Sequence, residues 1–200
     1  VVVPGHDGRP PARRYHFETR QPVRYLAFLV SRLVRVGSST VSLVEPLSRL
    51  AASGTGAMPA EPLPAGSFNS QLDLVLEANP RQTSRARQAG VVAADVVAFY
   101  TSLIGDSPYP DLTLALVEKD LPGGHSPAYL AVLYQPLPTA SANWSSDPAA
   151  FISFPEYFIA HETAHQWWGQ AVGWRTYHDQ WISEGFAQYF ATLYARHRRG

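Results

Sequence analysis

His161, Glu162 and His165 occur in the order His-Glu-Thr-Ala-His: two imidazoles four residues apart, with a carboxylate directly after the first. On a helix, residues four apart share a face and lie about 5–6 Å apart at Cβ. Two imidazoles so placed reach one metal ion, at roughly 2.0–2.1 Å if the ion is zinc. The carboxylate between them points to one side of the metal, where it can take a proton from an attacking water without filling a ligand position. A catalytic zinc has three protein ligands and an open position. Glu184, nineteen residues beyond His165, fits the third place, because an antiparallel helix after a short loop brings it back to the first. Two neutral imidazoles and one anion suit one Zn2+ ion and leave most of its charge to acidify water and polarise a carbonyl. The bland alternative is a surface helix carrying two incidental histidines. The aromatic setting argues against it, because charge buried among aromatics is costly without a partner.

The elements that must position these groups are legible on either side. Ser153 and Glu156 have capping-box spacing and Pro155 suits a first turn, so a helix is expected over Tyr157 to Trp168, stopped by Gly169. After a polar loop, Asp179 is a candidate N-cap for a last helix with the apolar stripe Ile182, Phe186, Tyr189, Phe190, Leu193 and Tyr194. Upstream, Ala89, Val92, Val96, Phe99 and Leu103 recur at spacings of three and four, which predicts a helix from about Ser84 to Ile104, ended by Gly105, Pro108 and Pro110. Leu72 to Leu76 and Leu112 to Leu116 alternate as strands do, and Tyr129 to Tyr134 reads as a third strand. Val23 to Val30 and Val41 to Val44 are also strand-like. Residues 1–22, the small-residue stretch 51–67 and residues 136–148 read as loop. The expected division is 1–80, the end of a β-rich unit, and 81–200, the unit with the metal motif.

Composition narrows the function classes. The chain has 200 residues, 46% hydrophobic and 16% charged, and sixteen basic residues balance sixteen acidic ones. That is too apolar for a disordered chain, and it lacks the positive excess of a nucleic-acid binder. The first hundred residues carry eleven basic and seven acidic groups, the second hundred five and nine, so the acidic half holds the motif. The absence of cysteine excludes thiolate zinc sites and cysteine nucleophiles and leaves the compartment open. No stretch approaches the roughly 18 uninterrupted apolar residues of a membrane span. The chain starts at Val1 without Met, and it is read as a piece cut from a longer protein.

His161-Glu-Thr-Ala-His-Gln-Trp-Trp-Gly169, followed by Trp181-Ile-Ser-Glu-Gly-Phe-Ala-Gln-Tyr189, resembles the M1 family of zinc aminopeptidases. Ser183 stands where the family usually has Asn. The helix ending in Gly105-Asp-Ser-Pro-Tyr-Pro110 resembles the family's F-G-x-P-Y-P junction. The likeness covers roughly residues 85–200, and more weakly 15–36. Metzincins need Gly and His where this chain has Trp168 and Ala171. The resemblance implies an α+β, thermolysin-like gluzincin catalytic domain, a mixed sheet plus helices, preceded by the end of a β-rich domain and cut before a helical C-terminal part. It implies one Zn2+ on His161, His165 and Glu184, with Glu162 as general base and a peptide as substrate.

Three departures bear on activity. The family's G-x-M-E-N segment, whose Glu binds a substrate's free amine, falls on Gly124-His125-Ser126-Pro127-Ala128, which makes Gly123, Gly124 and His125 candidate substrate-binding residues. Pro127 replaces the amine-binding Glu and offers neither charge nor N–H. Ala191 stands where the family often has a Glu bonded to a zinc histidine, a loss for which a backbone carbonyl or another acid could substitute. The family's oxyanion-assisting Tyr would lie beyond residue 200. Tyr189 and Tyr194 are expected to be core aromatics, Tyr177 and His178 loop residues. Trp167, Trp168, Trp174 and Trp181 are expected to pack around the site. The leading expectation is a zinc metallopeptidase with altered amine recognition. The alternatives are a pseudo-peptidase that binds peptide without cleaving it, and a structural zinc site, the latter disfavoured because such sites are usually cysteine-rich.

Overall fold

The computed structural model describes residues 2–3, 12–43, 70–118, 123–135 and 156–200. The stretch 51–67, the segment 136–148, Val44, Ser153 and Pro155 lie outside the described residues. Two short strands, β1 (Val2–Val3) and β2 (Ala12–Arg13), pair antiparallel within the region expected to be loop. The main sheet has five strands: β3 (Val34–Ser42), β4 (Gln71–Ala78), β5 (Asp111–Glu118), β6 (Gly124–His125) and β7 (Leu130–Gln135), in the order β3-β4-β5-β7-β6. The inner pairs β4–β5 and β5–β7 are parallel, and the edge strands β3 and β6 pair antiparallel with their neighbours. Strands on both sides of residue 80 thus belong to one mixed sheet.

The alternating Leu72, Leu74 and Leu112, Leu114, Leu116 turn one face of β4 and β5 inward, and all are buried. Helix α1 (Thr83–Ile104) makes the crossover that the parallel pair β4–β5 requires and buries Ala86, Ala89, Ala93 and Val97 in the same core. It stops at Gly105, whose φ of 116° lets its N–H return to the Thr101 carbonyl at 2.9 Å. Leu114, on the central strand and fully buried, is the anchor of this core. Leu114→Ala is expected to lower stability by about 2–5 kcal/mol in urea denaturation.

The strand expected at Val23 to Val30 is not formed. Leu26, Phe28 and Val30 are exposed, at 79%, 85% and 86%, so the apolar run has no face to cover. The strand lies instead at β3, where Val36, Val41 and Leu43 pack onto the core and a bulge between Arg35 and Gly37 resets the register.

Helices α2 (Glu156–Ala164) and α3 (Gln180–Arg199) close a second core against α1, built from Val96, Tyr100, Tyr157, Ala160, Trp167, Ala187, Ala191 and Tyr194. Every residue from Tyr157 to Ala164 is buried, so α2 is an interior helix rather than a surface one. Tyr100 donates its hydroxyl to the Ala160 carbonyl at 3.0 Å and Trp167 Nε1–H donates to the Asp106 carbonyl at 2.7 Å, tying both ends of the metal motif to α1 and its exit loop. The helix is shorter than expected. The N–H of Gln166 bonds the Thr163 carbonyl and that of Trp167 the Ala164 carbonyl, three residues back, so the last turn tightens before Gly169. Asp179 does not cap α3. Its carboxylate reaches back to the Thr176 N–H and hydroxyl across the short turn Tyr177–Asp179.

Candidate active site

Helices α2 and α3 bring His161, His165 and Glu184 together. His161 Nε2 lies 3.2 Å from His165 Nε2, and Glu184 Oε2 lies 3.4 Å and 3.5 Å from them. A tetrahedral ion with metal–donor distances of about 2.0–2.1 Å has donor–donor edges of roughly 3.3–3.4 Å. The three separations therefore describe one face of such a tetrahedron. Both histidines lie in the interior while Glu184 is half exposed, so the donors open onto solvent on the carboxylate side.

The outer ring nitrogens settle which atoms face this point. His161 Nδ1 lies 3.0 Å from Gln188 Oε1, and His165 Nδ1 lies 3.0 Å from the Trp168 carbonyl. Both partners are oxygen acceptors, so each Nδ1 carries the proton and each Nε2 presents its lone pair. Two lone pairs and a carboxylate converging within 3.5 Å repel one another unless a cation lies between them, and this donor set fits a divalent metal. Glu184, held by both imidazoles, has its carboxyl pulled far below the usual range. Burial works to lower His165, but the bond and charge of Glu184 outweigh it and the net direction is upward.

Gln188 was not singled out in the sequence, although it follows Glu184 by one helical turn and so shares its face. It and the Trp168 carbonyl are the acceptors beside the two rings, whereas Ala191 is fully buried in the helical core. Such partners fix ring orientation and ligand basicity. Gln188→Ala is expected to weaken zinc binding by about 10–100-fold, measured by competition with a chromogenic chelator.

Glu162 points toward β6. It is buried, and Ser126 Oγ donates to its Oε2 at 2.6 Å. Burial raises its pKa above the carboxylate norm, against the opposing pull of His165, Ser126 and His161. Gly124 permits this approach. A Cβ there would sit 2.3 Å from Glu162 Oε1 and Cδ. Gly124→Ala is thus expected to push the carboxylate aside, as measured by the Glu162 side-chain position in a crystal structure of the variant.

These groups line a cleft of about 350 Å³. Gly123, Gly124 and His125 form its β6 wall, where the sequence placed substrate contacts. Tyr25 faces His125 across it at 6.5 Å, and Gln170 donates to the Tyr25 hydroxyl at 3.2 Å. Trp174 also lines the cleft, with the Arg24 guanidinium 4.1 Å above its ring. Tyr25 and Arg24 were missed because they lie in the segment misread as a strand. Pro127 is buried and does not line the cleft. Trp167 and Trp168 pack as expected, whereas Trp181 is 71% exposed because it projects from the outer side of α3. Tyr194 is buried and donates to Asp95 at 2.7 Å; Tyr189 and Tyr177 are exposed, and neither Tyr177 nor His178 reaches the cleft.

Comparison with known proteins adds an independent observation. Residues 152–200, which hold all three donors and Glu162, match the Peptidase family M1 domain. Over these residues the chain is similar to peptidase family M1. Among its M1 relatives, glutamyl aminopeptidase of Mus musculus is 36% identical over 66 residues, 33% of this chain and 6% of the relative. Endoplasmic reticulum aminopeptidase 2 of Bos taurus is 26% identical over 134 residues, 64% of this chain and 13% of the relative. Aminopeptidase Ey of Gallus gallus is 54% identical over 35 residues, 18% and 4% respectively. The chain therefore spans only a small part of the length of the curated relatives it matches. Among the described residues, no helix is long and apolar enough to cross a membrane.

Proposed function

We propose that this chain is the core of a zinc-dependent peptidase, with His161, His165 and Glu184 holding one Zn2+ and Glu162 serving as general base. The observation that carries the reading is the convergence of three donors with the edges of a tetrahedral face beside a buried, uncoordinated carboxylate. When bound, the ion would polarise the scissile carbonyl and acidify the attacking water. Glu162 takes the proton from that water and hands it to the leaving amine, a transfer favoured by a carboxyl whose pKa burial raises above the carboxylate norm. The β6 edge strand offers its backbone to an extended peptide, as sheet edges do. We assign the sheet and helices to a gluzincin-type catalytic domain. Because β3 and β4 are bonded into the same sheet as β5, we place the start of that domain before Val34, with the β-rich unit preceding it.

Substrate choice follows from charge. Among the described residues that line the cleft, the only carboxylates are Glu162 and Glu184, and both have work to do. The position where the family's amine-binding Glu would stand is the buried Pro127. A missing charge-assisted bond is worth about 1.5–3 kcal/mol. N-terminal aminoacyl anilides are therefore expected to be cleaved at least ~10-fold less efficiently than internal bonds of N-blocked peptides. Mass-spectrometric analysis of peptide-library digests checks this, and equal or faster release of single N-terminal residues would contradict the altered specificity.

A further inference from the structure

We propose that Ser126 is a positioning residue for Glu162, held in place by Gln166; this rests on the reading of Glu162 as the general base. Ser126 is buried and donates to only one carboxylate oxygen, Oε2, at 2.6 Å. Its partner is likewise buried, so a rotation of the carboxylate would leave a polar atom without a bond, which is costly in that setting. The hydroxyl thereby selects one rotation of the carboxylate. The neighbouring Gly124 leaves the space that this rotation fills.

The serine itself is clamped. Gln166 follows Glu162 by one helical turn and so faces the same β6–β7 turn. Its buried side-chain amide donates to the Pro127 carbonyl at 3.1 Å and accepts from the Tyr129 N–H at 3.0 Å. Tyr129 adopts a φ of 68°, a conformation rare for a bulky residue, so the turn is bent to meet the glutamine. The base on α2 and, in the tightened turn that follows the helix, the clamp for the hydroxyl that aims it thus face the same β6–β7 turn.

The test compares Ser126→Ala and Ser126→Thr with the original in the zinc-loaded protein and, without metal, by infrared difference spectroscopy. Ser126→Ala is expected to lower kcat by on the order of 10–100-fold with KM within about twofold and zinc affinity within about threefold, and Ser126→Thr, which keeps the hydroxyl, to recover most of kcat. In the metal-free protein, Ser126→Ala should shift one carboxylate stretching band, and that shift should vanish when Glu162 is already Gln. Unchanged kcat, a rise confined to KM, no rescue by Thr, or an unshifted band would each overturn the assignment. Turnover that persists in Glu162→Gln would instead count against Glu162 as the base, with the infrared result still deciding whether Ser126 holds its carboxylate.

Discussion

Glu162→Gln is expected to leave zinc affinity within about threefold of the original and to lower peptide hydrolysis by roughly 10²–10⁴-fold, the range contributed by a positioned proton-transfer group. The two effects separate because Glu162 is buried against Ser126 and Gly124 rather than joined to the metal donors. The amide has nearly the same volume, and its oxygen can still accept from Ser126, so packing is preserved. It cannot take a proton from water. The fold is expected to be no less stable, because burial already disfavours the charged carboxylate and the amide removes that charge. The measurement is kcat and metal content on one preparation, with Tm as the check on folding. A variant with the original rate would remove Glu162 from the chemistry.

The second large effect is expected from the donors. His165→Ala removes one of the three proposed ligands and the bond to the Trp168 carbonyl. If the roughly 10–16 kcal/mol of a four-ligand zinc site is shared among its ligands, each accounts for ~3–4 kcal/mol, so affinity should fall by about 10²–10³-fold. Glu184→Gln probes charge separately from shape. It keeps an oxygen 3.4–3.5 Å from the imidazoles but removes the negative charge that a cation between the three donors would balance. Its loss of affinity is expected to be large. Equilibrium competition with a chelator of known zinc affinity reads both. Wild-type affinity in either variant would place the metal elsewhere.

The parts of this arrangement that were legible in the sequence are those governed by local periodicity. The spacing of Ala89, Val92, Val96, Phe99 and Leu103 placed α1 within a residue of its observed ends, because one helix face must meet the sheet. The His-Glu-x-x-His spacing and Glu184 brought three donors to one point because each spacing encodes a helix face. Of strand β3 only the end, Val41 and Ser42, was legible, for the opposite reason. Its sequence, VRVGSSTVS, is mostly polar, and as an edge strand it takes its stability from the ladder to β4 rather than from burial on both faces. The run Val23 to Val30 looked more strand-like but has no neighbour to pair with among the described residues. Ser126, Gln166 and Tyr25 act through contacts 36 or more residues away in sequence, which no local pattern carries. Gln188 is the exception: its place one turn beyond Glu184 was a readable signal.

If His161, His165 and Glu184 share one zinc ion as proposed, anomalous diffraction at the zinc edge from crystals of the zinc-loaded protein shows a single strong peak at about 2.0–2.2 Å from His161 Nε2, His165 Nε2 and a Glu184 carboxylate oxygen. A peak elsewhere, or one that touches the histidines while Glu184 stays out of reach, would contradict it.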